Sequence, residues 1–313
     1  MTDRSIVQQG ALFALAFIAL LLMTFFIPFI SIITIFLLPI PFILLTYRYG
    51  WKVGGVVWII TTLVSIPLLT LYSLPLSIVM GLSGVIIGAA MHGQRHPYEV
   101  LARGTIGFAV TIALLYASTQ LIFDVNWTQQ AETLMEESLT STTTMLEETG
   151  VDVAPEDLEI VRNSFYDLVY LIPTSIVLLG LGLAFIAQWL SYKWLNRSEQ
   201  RKHRFPPFRY FTFPNSLIWI FLLGIIMSWI YTEPTDTMYL AATNLYALPG
   251  LLLVLQGMAF VFYYAHYKNW SNTLPVLVVV AFVLFPFIIT FPLRILGIFD
   301  LGFRLRQRLT GNK

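Results

Sequence analysis

The chain has no cysteine, and only 11% of its 313 residues are charged. The first absence excludes disulfides, thiolate metal sites, a cysteine nucleophile and palmitoylation. The second excludes a water-exposed globule of this size, because soluble domains carry about a quarter charged residues. A basic stripe interleaved with aromatics is also missing, so no nucleic-acid partner is expected. No Walker A loop, dinucleotide fingerprint or pair of carboxylates at acid–base spacing occurs, which argues against ATP hydrolysis by this chain. No cofactor is implied.

What the chain has instead is apolar length: 57% of its residues are hydrophobic, and the mean hydropathy is +0.76. Hydrophobic runs occupy 6–26, 29–47, 53–71, 75–91, 104–123, 169–190, 214–231, 239–264 and 273–290. Each is about 17–26 residues long, which is what an α-helix needs to cross roughly 30 Å of hydrocarbon. The expected fold is all-α: a polytopic transmembrane helix bundle of nine or ten hydrophobic segments with an extracytoplasmic helical hairpin. Arg4 precedes the first run, and Met23-Thr24-Phe25-Phe26-Ile27-Pro28 at its exit offers no small-x-small cleavage site. The first run therefore reads as a retained helix rather than a removed signal.

Charge sets the orientation. With the N-terminus in the cytoplasm, inner loops hold Arg48, Lys52, Arg95, Arg103, Lys193, Arg197, Arg201, Lys202, Arg204, Arg209 and Lys268, and outer loops hold only Arg162. That bias points to a cytoplasmic N-terminus. The same count would leave Arg304, Arg306, Arg308 and Lys313 outside after nine crossings. Phe291–Phe303 is too short to span, so with Pro286 and Pro292 breaking the helix it either packs back to the cytoplasmic end, which we favour, or lies along the outer interface.

Three regions follow: a bundle of five transmembrane helices in 1–123, an acidic extracytoplasmic segment in 124–168, and a bundle of four or five transmembrane segments in 169–313. Gly81, Gly84 and Gly88 lie three and four residues apart, the spacing of a close helix contact. Eleven of the seventeen acidic residues fall in 124–167. There Leu134, Met135, Leu139, Met145 and Leu146 recur at helical steps opposite Glu132, Glu136, Glu137, Glu147 and Glu148. Gly150 ends that helix and Pro155 opens the next. The basic, aromatic loop 191–211 fits anchoring to anionic headgroups, and a docking surface for a cytoplasmic partner is the alternative.

Some constellations touch on chemistry. Gly81-Leu82-Ser83-Gly84 looks like the Gly-x-Ser-Gly of rhomboid proteases, but the candidate base, His266, lacks the glycine that follows it in that family. His92 and His96, with Glu99 nearby, have a metal-like spacing that Gly93 and Pro97 disturb. No catalytic or metal site is expected, and the chain does not read as an enzyme. Polar groups at membrane depth are the stronger lead: Asn244, Gln256, Arg294, Asp300 and Arg304. A lone Asp at the centre of a spanning helix costs about 3 kcal/mol and needs a partner. Asp300 and Arg304 stand four apart and would neutralise each other on one helix. Alternatively, the five residues line a ligand-binding pocket.

The stretches Pro39-Ile40-Pro41 with Gly50-x-Lys52-x-x-Gly55, Asn244-Leu245 with Gln256-Gly257, and Leu296-Gly297-x-x-Asp300-x-x-x-Arg304 resemble the YybS-like family of bacterial polytopic membrane proteins. That family is distantly similar to the S components of energy-coupling-factor transporters and to MreD. The resemblance implies a small-molecule-binding helical bundle with ATPase partners. The first helix departs from the S-component pattern, because Ala11, Ala14, Ala16 and Ala19 contain no Ala-x-x-x-Ala pair. Two functions stay open. One is binding or transport of a small solute; the other is a scaffold recruiting cell-envelope or division proteins. In either case the lipid bilayer is the principal partner. The absence of cysteine makes the topology directly measurable: a single cysteine at Thr140 should react with an impermeant maleimide in intact cells, and one at Lys202 should not.

Overall fold

The computed structural model describes residues 3–123, 127–150, 154–200, 202–234, 236–271 and 273–311. Arg201, Asp124, Asp152 and Lys313, all part of the charge pattern, lie outside the described residues. Among the described residues the fold is all-helical. In chain order the helices are α1 (Asp3–Phe26), α2 (Pro28–Leu37), α3 (Ile40–Tyr49), α4 (Trp51–Leu69), α5 (Ser73–Ser77), α6 (Ser83–His92), α7 (Pro97–Phe123) and α8 (Trp127–Glu148). They continue with α9 (Pro155–Tyr170), α10 (Ile172–Ser198), α11 (Ser216–Ile230), α12 (Thr237–Tyr267), α13 (Thr273–Leu284), α14 (Pro286–Gly302) and α15 (Leu305–Gly311). A π turn over Ile78–Leu82 joins α5 to α6.

Among the described residues, seven stretches are long and apolar enough to cross a bilayer: 4–26, 28–49, 51–69, 73–92, 97–120, 172–198 and 238–267. The other two expected runs form the shorter apolar helices α11 and α13. The run over 273–290 is not one helix. Pro286 has no amide hydrogen to continue the ladder, so α13 ends at Leu284 and α14 begins at Pro286. Large apolar side chains face outward, Phe29 and Phe287 being 93% and 96% exposed. Such a surface needs lipid around it, because in water it would drive association.

The chain divides into two compact units, one of residues 1–132 with 175–205, the other of 133–174 with 206–313. The grouping in space thus differs from the division expected along the chain, since α10 packs with the first bundle rather than the second. The reason is local. A Cβ on Gly180 would stand 3.1 Å from the Thr105 carbonyl oxygen and the Ala109 amide, so α10 lies against the α7 backbone. Gln188 then donates to the Pro97 carbonyl at 2.9 Å.

Small residues build the first unit, as expected where lipid tails remove any hydrophobic drive between helices. A Cβ on Gly84 would meet the Pro39 carbonyl oxygen at 2.7 Å, and one on Gly88 the Ile43 carbonyl oxygen at 2.6 Å. Helix α6 therefore packs on α3 backbone to backbone. Gly81 instead leaves room for the Trp58 indole, whose Nε1 donates to the Ser77 carbonyl at 3.1 Å. Phe17, Phe42, Ile43, Ile87 and Phe108 fill the centre, all fully buried. Ser83, the serine of the protease-like tetrapeptide, is buried and shares a 3.3 Å hydrogen bond with Thr111.

The second unit is organised around α12. Gly224 brings α11 against the Leu245 carbonyl. A Cβ on Gly257 would meet the Leu293 carbonyl oxygen at 2.0 Å, and one on Gly297 the Leu253 carbonyl oxygen at 2.0 Å. Contacts rise together along both chains, Tyr246 with Arg294, Gln256 with Asp300 and Tyr263 with Arg306, so α12 and α14 run parallel. Helix α14 therefore finishes at the same end as α12, and the basic residues after it return to that end, as expected. In α8 and α9, Arg162 clasps Glu136 with two hydrogen bonds of 2.8 and 3.0 Å. Replacing Gly257 or Gly297 by Val should destabilise the folded protein by about 1–3 kcal/mol or more, measured by detergent unfolding, whereas Gly55→Val, which meets nothing within 4 Å, should not.

Candidate functional site

The polar residues expected at membrane depth do not share one pocket. Asn244 uses its full hydrogen-bonding capacity. Its Oδ1 accepts from the Thr174 amide and hydroxyl at 2.9 and 2.7 Å, and its Nδ2 donates to the Tyr170 and Leu240 carbonyls at 2.8 Å. It thereby stitches the α9–α10 junction to α12. Gln256, twelve residues and about 18 Å further along α12, is fully buried. Its Oε1 accepts from the Phe213 amide at 2.9 Å, and its Nε2 donates to Asp300. Arg294 lies against the rings of Phe221 and Tyr246 and donates to the Tyr246 hydroxyl at 2.8 Å.

Asp300 has a partner, but it is not Arg304. Helix α14 ends at Gly302, and Arg304 sits in the left-handed region at φ 49°, exposed, between α14 and α15. The four-residue spacing brings side chains together only on a continuous helix, and this one breaks. Arg306 reaches back instead. Its Nη2 lies 2.8 Å from Asp300 Oδ2 as an ion-pair contact, and its Nε donates to Oδ1 at 3.2 Å. Its Nη1 donates to the carbonyls of Arg209 and Phe211 at 2.9 and 2.8 Å. Arg306 thus ties α14, α15 and the 209–213 segment into one buried node. Sequence spacing missed it because a turn, not a helix, separates the pair.

An open cavity lies in the first unit. It encloses about 920 Å³ where Gln9 of α1, Tyr47–Tyr49 of α3, Met91 and His92 of α6, Gln94, Arg95 and Pro97 of the next turn, Tyr192 of α10, and Glu199 with Lys202–Arg204 converge. These are the chain ends that the charge bias assigns to one membrane face. Local backbone makes the cup: Gly50 at φ 83° turns α3 into α4, and Gln94 at 52° and Gln200 at 51° turn the chain after α6 and α10. Left-handed glutamines are disfavoured, so packing must hold them.

The lining is polar and wired. Arg48 donates to Glu199 at 2.7 Å and to Gln9 at 3.1 Å. His92 Nδ1 lies 2.8 Å from the Tyr47 carbonyl; a carbonyl only accepts, so that nitrogen carries the proton. His203 Nε2 meets the Tyr47 hydroxyl at 3.1 Å, its ring stacks on Tyr192, and Asn196 holds its backbone with bonds of 2.7 and 2.8 Å. Arg95 touches Glu99 only at 3.8 Å, while Glu99 takes a 2.8 Å bond from Arg103. His96 Nδ1 accepts from the Tyr98 amide at 3.4 Å, so the two histidines and Glu99 are engaged separately. Lys202 and Arg204 have no acidic partner among the described residues. The cup therefore sets Arg48, Arg95, Lys202 and Arg204 against one acid, Glu199, which Arg48 already neutralises.

A family model described as a predicted membrane protein, DUF2232, matches residues 15–301. The chain belongs to the DUF2232 family. It is 26% identical over 306 residues to the uncharacterized protein YybS of Bacillus subtilis (strain 168), covering 96% of this chain and 97% of that one. No solved structure matches. The resemblance read from the Pro39, Gln256 and Gly297 stretches thus holds over nearly the whole chain. The DUF2232 match takes in α12, α14 and Asp300 but stops before Arg306. Sequence reasoning missed the cup because its residues come from separate stretches spanning Gln9 to Arg204. Their one signal, basic residues at loop ends, is also what orientation demands. Asp300→Ala would leave the Arg306 guanidinium buried without its counter-charge, and should cost about 3–5 kcal/mol in detergent unfolding, against little change for Arg304→Ala.

Proposed function

We propose that this DUF2232 protein is an integral protein of the bacterial plasma membrane that binds a small solute in the basic cup of its first unit, facing the cytoplasm. One observation carries the reading. A cavity of about 920 Å³ lined by polar and charged groups is in the size range of small-molecule sites. Of the residues whose polarity at membrane depth suggests a ligand, Asn244, Gln256 and Asp300 are bonded within the second unit, Arg294 is held by the Phe221 and Tyr246 rings, and Arg304 is exposed. The ligand therefore belongs in the cup. The reading keeps the manner of a transporter substrate-binding component, and it does not extend to an ATPase module. The Ala-x-x-x-Ala pair of S components is absent from α1.

A second reading rests on the other unit. There α11, α12 and α14 pack backbone to backbone, and Gln256, Asp300 and Arg306 bind one another in a buried node. A closely packed bundle of that kind suits a scaffold that recruits envelope proteins and passes nothing. The cup separates the two. Gln94→Cys places the protein's one thiol on the cup rim, where a bulky maleimide would fill the entrance. At least one member of a metabolite library should raise the melting temperature of wild-type protein, and the capped variant should lose that response. A wild-type protein indifferent to the whole library would remove the solute reading.

A further inference from the structure

We propose that the cup selects a solute bearing a phosphate group, with Arg95, Lys202 and Arg204 as the phosphate ligands and Arg48 held apart as a strut. The inference rests on the cup being a solute site and goes on to its chemistry. Arg48 is spent on Glu199 and Gln9. Three cations then remain, Arg95 arriving from the turn after α6 and Lys202 and Arg204 from the segment after α10. All three are exposed to the cavity side of the protein surface rather than packed into it. A single carboxylate brings one negative charge and cannot balance them. A phosphate monoester brings about −1.5 to −2 and three acceptor oxygens, and the planar guanidinium fork matches two of those oxygens at once.

The wall between the cations suits the rest of such a molecule. Tyr192 and His203 stack with ring centroids 5.4 Å apart, and the Tyr47 hydroxyl closes the row at 3.1 Å from His203. The row offers ring edges to an organic body while the cations take its anionic end. The positions of the cations also explain the geometry of the backbone. Gln94 and Gln200, both at positive φ, stand one residue before Arg95 and one after Glu199, where the chain turns into the cup. Two disfavoured turns flanking one cavity are the kind of local strain that a binding site retains.

A phosphate at this place has two sources, a soluble phosphate ester or the headgroup of an anionic phospholipid, and one set of measurements distinguishes them. The full-length protein in neutral detergent is titrated with inorganic pyrophosphate, glycerol 3-phosphate and adenosine monophosphate, with glycerol and a four-carbon dicarboxylate as controls. At least one phosphate probe should bind and both controls should not. Lys202→Gln/Arg204→Gln should weaken that binding at least about tenfold, as should Arg95→Gln, with unchanged unfolding because these side chains are exposed. Repeating the titration in nanodiscs separates the sources. If phosphatidylglycerol suppresses the soluble probe relative to phosphatidylcholine, the headgroup occupies the cup; if not, the ligand is soluble. Either result supports the phosphate assignment. No binding of any phosphate probe, equal binding of the dicarboxylate, or binding indifferent to the glutamine variants would overturn it. If the maleimide-capped Gln94→Cys protein still loses a response to some neutral or cationic metabolite, the solute reading stands and only the phosphate assignment falls. If no metabolite responds at all, both fall together.

Discussion

The contact between α12 and α14 is the constraint on which the second unit depends. Lipid gives two apolar helices no reason to associate, so only close packing and buried polar bonds do it. Gly257 and Gly297 provide the first, each leaving room for a carbonyl of the other helix that any Cβ would strike. Once the backbones meet, Gln256 and Asp300 are brought face to face, and the buried carboxylate requires a cation. Arg306 supplies it by crossing a helix break, and its remaining donors fasten the 209–213 segment to the same node. The parallel course of α12 and α14, and the return of the C-terminal basic residues, follow from that register.

The first unit obeys the same packing rule and ends differently. Gly84, Gly88 and Gly180 bring α6 onto α3 and α10 onto α7. At the ends of these helices, however, the polar side chains meet around open space. Helix C-termini favour cations through their dipoles, and Lys and Arg concentrate in the loops on one face of a membrane protein. The ends of α3, α6 and α10 therefore carry basic residues whatever the protein does. Convergence of those ends turns charges that orient the chain into the lining of a cup. In the second unit Arg306, at the corresponding end, is instead engaged by Asp300 and by two carbonyls. A buried ionic node and a polar cup thus arise from similar ingredients, according to whether a terminal cation meets a buried carboxylate or open space.

Much of this is legible in the order of the amino acids. Apolar length locates the spanning helices, because a bilayer imposes one thickness on every crossing. Pro286 marks the break that divides α13 from α14, and the spacing of Gly84 and Gly88 marks a helix face that does pack closely. Asp300 is recognisable as a residue in need of a cation. Its partner is not, since the four-residue rule presumes an unbroken helix and Arg304 lies in the break at positive φ. Gly257 and Gly297 give no local pattern either, for neither has a second glycine three or four residues away and each acquires meaning only opposite the other.

The amino-acid sequence by itself determined the solvent, the helical class, the segregation of charge among the loops and the family, because each depends on composition or on spacing within one segment. Tertiary structure alone decided that α10 joins the first unit, that Arg306 rather than Arg304 holds Asp300, and that Gln9, Arg48, Arg95 and Arg204 border a common cavity. These are relations between residues separated by many turns of chain. No short-range periodicity encodes them, since they are fixed by which helix faces are small enough to touch.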